Sequence, residues 1–130
     1  LYRRARRVDG IMKQGADLPA VAPTAVMGAV IAEITRGHMG ITCVVAPDGR
    51  LLGVVTDGDV RRAVAASGDV RGLTAAEVMS PRPVTVAPDT LAAEALHLLE
   101  QRKITAVIVV ADGRPVGVVH LHELWKTGLV

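Results

Sequence analysis

The sequence predicts an α+β molecule made of two tandem β-α-β-β-α repeats, packed sheet to sheet with pseudo-twofold symmetry. Three observations carry this. The 130-residue chain contains itself twice: Val21-Ala22-Pro23 returns as Val86-Ala87-Pro88, Val44–Arg50 as Val109–Arg114, and Gly53-Val54-Val55 as Gly117-Val118-Val119. Each copy holds an Asp-Gly pair, Asp48-Gly49 or Asp112-Gly113, between β-branched runs, which is a strong hairpin signal. Each copy also carries an apolar stripe at helical spacing. The repeat offset is 65 before Pro47 and 64 after it, because Pro47 is extra in the first copy.

Taken in order, each copy opens with a short extended segment ending at Pro23 or Pro88, since a residue before proline is pushed out of the helical region. Thr24 or Asp89 then stands as an N-cap type. Val26, Val30 and Ile34 form the stripe of the first helix, and Leu91, Ala95 and Leu99 that of its counterpart. Gly37 is the expected C-terminal stop of the first. Strands follow over Thr42–Ala46 and Leu51–Val55 in copy one, and over Ala106–Ala111 and Pro115–Val119 in copy two. A second helix closes each copy, near Gly58–Ala66 and His122–Lys126, and Ala75–Met79 adds a short helical piece. The expected domains are a linker over 1–7, a first repeat over 8–67, a linker over 68–74 and a second repeat over 75–130. One copy of about 60 residues is marginal alone, and a three-stranded sheet needs a cover. Packing the copies together would supply it and create two related clefts.

Composition narrows the function. Half the chain is hydrophobic and 22% is charged, so it folds around a real core. The only aromatic residues are Tyr2 and Trp125, so the core is aliphatic and aromatic stacking on single-stranded nucleic acid, which needs several rings, is nearly excluded. Removing Arg3, Arg4, Arg6 and Arg7 from the 15 basic residues leaves 11 against 13 acidic, so the basic balance belongs to one end rather than to a face. That run reads as a solvated linker; neither nucleic acid nor membrane is expected as a partner. The lone Cys43 excludes an internal disulfide, fits a reducing, cytoplasmic location and reads as packing. No apolar run approaches the roughly 20 residues of a membrane span. Met12, Met27, Met39 and Met79 read as core or seam fillers, and His97 as a surface or packing residue. The chain opens on Leu1, which suggests a piece of a longer protein.

The most informative stretch is Gly53–Arg62, where a buried strand ends at Thr56 and a helix begins. A helix N-terminus offers unpaired amides and a positive dipole end, which suits phosphate. The Thr56 hydroxyl can donate to a phosphate oxygen. Asp59 can accept from the two hydroxyls of a ribose, and Arg61 and Arg62 can pair with phosphate. The same pattern is also what a simple cap requires, with Thr56 or Asp57 capping and Asp59 complementing the dipole. His38, in the turn before the second strand, could line the cleft. No Ser/His/Asp or Cys/His set, paired carboxylates or P-loop is apparent, so no catalytic residue is expected.

Two tandem copies, the first closing on Gly53-Val54-Val55-Thr56 with Asp59 three residues on, resemble a pair of cystathionine β-synthase (CBS) domains, a Bateman module. The resemblance covers about Val8 to Val130 and implies that Thr56 and Asp59 bind phosphate and ribose of a nucleotide. It places Thr42 and Thr105, at the starts of the second strands, toward the ligand, and implies a homodimer. Glu33-Ile34-Thr35-Arg36, Met39-Gly40-Ile41-Thr42, Thr56–Arg62, His120–Leu124 and Gly128-Leu129-Val130 are more closely similar to the C-terminal regulatory half of bacterial arabinose-5-phosphate isomerases. That family interconverts D-arabinose 5-phosphate and D-ribulose 5-phosphate for the synthesis of Kdo, the acidic sugar of lipopolysaccharide. Its catalytic part is an N-terminal sugar-isomerase (SIS) domain with no counterpart here, so this chain is not expected to isomerise by itself, and its parent could be a tetramer.

The second copy departs from the nucleotide pattern: His120 and Glu123 stand where Thr56 and Asp59 stand in the first. His120 and His122 alternate, so on a strand they would share a face. With Glu123 they could make an incomplete metal site, but ligand contact or capping is the plainer reading; no metal and no required cofactor are expected. The resemblance thus implies a sensor whose effector is CMP-Kdo or an adenine nucleotide such as AMP or ATP, bound between the repeats and signalling through residues 1–8. A structural dimerisation module without a physiological ligand is the alternative.

Overall fold

A computed structural model describes residues 6–128. Residues 1–5, Tyr2, Arg3 and Arg4 among them, and Leu129 and Val130 lie outside the described residues. The chain divides into two compact units. The first is Ala16–Pro83; the second gathers the described parts of Leu1–Gly15 and Val84–Val130.

The first unit runs β1 (Ala20–Val21), α1 (Met27–Gly37), β2 (Ile41–Val45), β3 (Leu51–Thr56), α2 (Asp57–Ser67), α3 (Ala75–Val78) and β4 (Ser80–Pro81). Its sheet has the order β1-β2-β3-β4, with β1 parallel to β2 and the other pairs antiparallel. Met27, Val30 and Ile34 from α1 bury against Val44, Val55 and Ala75. Glu33 and Arg36 pin β1 and the chain ahead of it to this helix: Glu33 Oε2 accepts the Ala20 amide at 2.9 Å, and Arg36 Nη1 donates to the Ala16 carbonyl at 2.8 Å. The Arg36 guanidinium beside it holds the Glu33 carboxyl down at about 2.

The second unit repeats the plan with β5 (Thr85–Val86), α4 (Ala92–Arg102), β6 (Ala106–Ala111), β7 (Arg114–His120) and α5 (Leu121–Lys126), in the order β5-β6-β7. Its core joins Ala92, Ala95, Leu96 and Leu99 of α4 with Val107, Val109, Val119 and Leu124. Val8 completes it from the start of the chain. Arg6 and Arg7 have exposed side chains, yet the Arg6 carbonyl accepts the Ala92 amide at 2.7 Å and Arg7 bridges Leu91.

The hairpins differ as Pro47 requires. Asp112 and Gly113, both left-handed at φ 53° and 76°, form the two-residue turn that matches strand twist. The extra Pro47 lengthens the first loop to three residues, and only its last, Gly49 at φ 94°, is left-handed.

The starts of α1 and α4 differ from the sequence expectation. Thr24 and Asp89 are not N-caps; tight turns closed by Ala25 N–H to Ala22 and Thr90 N–H to Ala87, both 3.0 Å, use them up. The helices start one residue after Val26 and Leu91, which are 57% and 36% exposed. Met27 and Ala92 take the inward positions expected of those two. Gly37 ends α1 but is not its left-handed stop. His38, at φ 57°, fills that role and closes its amide onto the Ile34 and Thr35 carbonyls.

Sequence repeat and compact unit do not coincide at their edges. β4, early in the second repeat, pairs with β3, while Lys13, early in the first, bridges Val118 of β7. No helix among the described residues is long and apolar enough to cross a membrane.

Candidate functional site

The N-terminus of α2 is built on a capping box. Thr56 ends β3 in extended backbone, and its hydroxyl accepts the Asp59 amide at 3.2 Å. Asp59 answers through Oδ2, which accepts the Thr56 amide at 2.9 Å and the Thr56 hydroxyl at 3.0 Å. Its other oxygen, Oδ1, accepts Arg62 Nη2 and Ser80 Oγ, each at 2.8 Å. Ser80 arrives on β4, beside Val54. The Asp59 carboxylate is 7% exposed, and its two oxygens take four donors, about the capacity of a carboxylate. Burial pushes its pKa up. The bonds from Arg62, Thr56 and Ser80 outweigh that and hold it below its ordinary value.

Around this knot, Asp57 donates its amide to Gly40 at 3.0 Å, which fixes the turn after α1 against the start of α2. His38 in that turn is exposed, as are Arg61 and the far end of Arg62. Thr42 is the second residue of β2, fully buried, its hydroxyl donating to the Cys43 carbonyl at 3.2 Å. Cys43 is buried too, which pushes its thiol up to about 12 and leaves it unreactive.

The matched place in the second unit has different chemistry. His120 ends β7 and caps α5, its Nδ1 accepting the His122 amide at 3.1 Å, which puts a neutral ring's proton on Nε2. His122 is helical, so the shared strand face expected from alternation is not what joins the two rings. They stack across the cap at 4.9 Å, and His122 meets the edge of Trp125 at 5.2 Å. Burial, then the neighbouring His122, lowers the His120 pKa, against the pull of Glu123. Glu123 lies 3.9 Å from Lys13 and 3.8 Å from Lys126. Thr105 stands before β6 rather than in it; it is exposed and its carbonyl takes the Leu121 amide at 2.8 Å. Among the described residues no three His, Cys, Asp or Glu side chains are grouped to hold a metal ion.

The structure therefore brings together Thr56, Asp59 and Arg62 in one unit, and the rings of His120 and His122 in the other, where Glu123 faces Lys13 and Lys126. It adds Ser80, which sequence reasoning missed. The available signal was positional: Met79-Ser80 opens the second copy where Met12-Lys13 opens the first.

The CBS domain model matches residues 8–66 and 75–124. The chain belongs to the CBS domain family. This CBS pair is 40% identical over 124 residues to arabinose 5-phosphate isomerase KdsD of Escherichia coli K12, a match covering 95% of this chain and 38% of that protein. It thus spans well under half the length of the curated relatives it matches. An uncharacterized conserved protein from Pyrococcus horikoshii has the same fold, with TM-score 0.83, 20% identity, and coverage of 98% of this chain and 95% of that one. So does CBSX2, solved in complex with AMP, with TM-score 0.79, 22% identity, and coverage of 95% and 96%.

Proposed function

We propose that this CBS pair is the nucleotide-sensing regulatory part of an arabinose-5-phosphate isomerase, acting in the supply of Kdo for lipopolysaccharide. The carrying observation is the 40% identity to KdsD along 95% of the chain. Within that frame the α2 N-terminus is the effector site. Asp59 offers a buried, ionised acceptor for ribose hydroxyls, Thr56 a hydroxyl and the positive end of the α2 dipole for phosphate, and Arg61 and Arg62 exposed guanidinium groups. The AMP held by CBSX2, a protein of the same fold, supports a nucleotide as the ligand class. The effector is CMP-Kdo, the activated end product, or an adenine nucleotide. The chain works as a homodimer and does not by itself turn over arabinose 5-phosphate; the sugar-isomerase domain of the parent does.

Calorimetric titration of the chain with CMP-Kdo and with AMP tests this. Saturable heat with either, abolished in Asp59→Ala, is the expected result. No heat with any nucleotide overturns it. That outcome would leave the second reading, a dimerisation module without a ligand, which the complete internal satisfaction of Asp59 favours.

A further inference from the structure

The four bonds on Asp59 are not equivalent. The two on Oδ2 come from Thr56 and belong to the capping box, so breaking them unwinds the start of α2. The two on Oδ1 come from side chains alone. Arg62 is long and 71% exposed at its side chain, free to swing into water. Ser80 is a hydroxyl from β4, 21 residues away in sequence. It presents to Oδ1 the same chemistry, an O–H donor at 2.8 Å, that a ribose hydroxyl would present.

We propose that Ser80 is an intramolecular stand-in for a ligand hydroxyl, and that it sets the affinity of the α2 site by competing for Asp59 Oδ1. This rests on the nucleotide site proposed above. A diol reaching Asp59 must take Oδ1, because Oδ2 is committed to the cap. One ribose hydroxyl takes the place that Arg62 leaves on Oδ1 and the other exchanges for the Ser80 O–H···O bond, so binding releases Ser80 from Asp59. The same exchange makes β4, through Ser80, the element that feels whether the site is filled. A ligand without the diol leaves the Ser80 bond in place and gains nothing from its removal.

The experiment compares the wild-type chain with Ser80→Ala by calorimetry, using AMP and CMP and their 2′,3′-dideoxy counterparts as probes. Removing the competing donor is expected to tighten AMP or CMP binding by about tenfold, the scale of one hydrogen bond to a charged group. Affinity for the dideoxy probes stays unchanged. Circular dichroism establishes that the variant is folded; Ser80→Cys, a weaker donor of similar size, gives a smaller gain and serves if the alanine variant does not fold. Wild-type binding with no gain in either variant overturns the competition alone, and so does an equal gain for the dideoxy probes. Silence of wild type and variants toward every nucleotide overturns the nucleotide site itself, and this inference with it.

Discussion

Thr56 and His120 stand at matched positions, each the last residue of a strand and the N-cap of the helix that follows. Thr56 keeps its cap at any ordinary pH, because a hydroxyl does not titrate there. His120 does not, because its cap acceptor is Nδ1, the atom that takes the proton. Burial and His122 lower its folded pKa, so the unfolded chain binds a proton first as pH falls below the ordinary 6.5. Stability contributed by His120 is therefore whole above that value and is lost as pH drops through the window beneath it. Denaturant unfolding at pH 7.5 and 5.5 should show the chain less stable at the lower pH by more than the other side chains account for. His120→Asn, which keeps a cap acceptor that does not titrate, should lose less over the same interval. An equal loss in both would remove His120 as the source. Thr56 and Asp59 were legible in the sequence because a cap and an anion site ask for the same residues at the same spacing. Ser80 was not: its partner lies 21 residues away, and only the pairing of β4 with β3 brings it there.

At the level of elements, Gly-Val-Val recurs in both copies because a chain segment crosses each glycine closely. A side chain at Gly53 would stand 2.6 Å from the Ser80 carbonyl oxygen and 2.7 Å from the Met79 sulfur; one at Gly117 would meet Met12 and the Lys13 carbonyl. Gly53→Ala and Gly117→Ala should each destabilise the chain by about 1–3 kcal/mol through overpacking. Gly10→Ala, with nothing within 4 Å, should change stability by less than about 0.5 kcal/mol. Denaturant midpoints compare the three directly; a neutral Gly117→Ala would mean that the Met12 segment is not held against β7. The strands and hairpins were readable within a residue or so, since β-branched runs around Asp-Gly encode them locally. The starts of α1 and α4 were not, although α2, α3 and α5 begin within a residue of expectation. The turns after Ala22 and Ala87 delay each helix until Met27 or Ala92, which replace Val26 and Leu91 inside, while Val30, Ile34, Ala95 and Leu99 are buried as expected.

The whole chain exchanges its edges: residues at the start of each repeat complete the unit built mainly from the other. The repeat itself was plain in the sequence, because both copies keep the same order of motifs. The exchange was not, since a lone Val or Met at a repeat's start says nothing of which core it enters. Val8 measures what that exchange is worth. It is fully buried among Ala92, Leu96, Val119 and Leu124, and its amide donates to the Thr90 carbonyl at 2.8 Å. Four residues on, Met12 lies over Gly117, and Lys13 bridges Val118 while its ammonium faces Glu123 of α5. The segment thus joins the second unit by packing, by backbone pairing and by charge. Val8→Ala removes the apolar area of about two methylene groups and leaves a void, so it should cost about 1.5–2.5 kcal/mol. Hydrogen exchange should show the lost protection centred on α4 and β7, which Val8 and Lys13 touch. Loss centred on α1 and β2 instead would place this segment in the other core and contradict the exchange of edges.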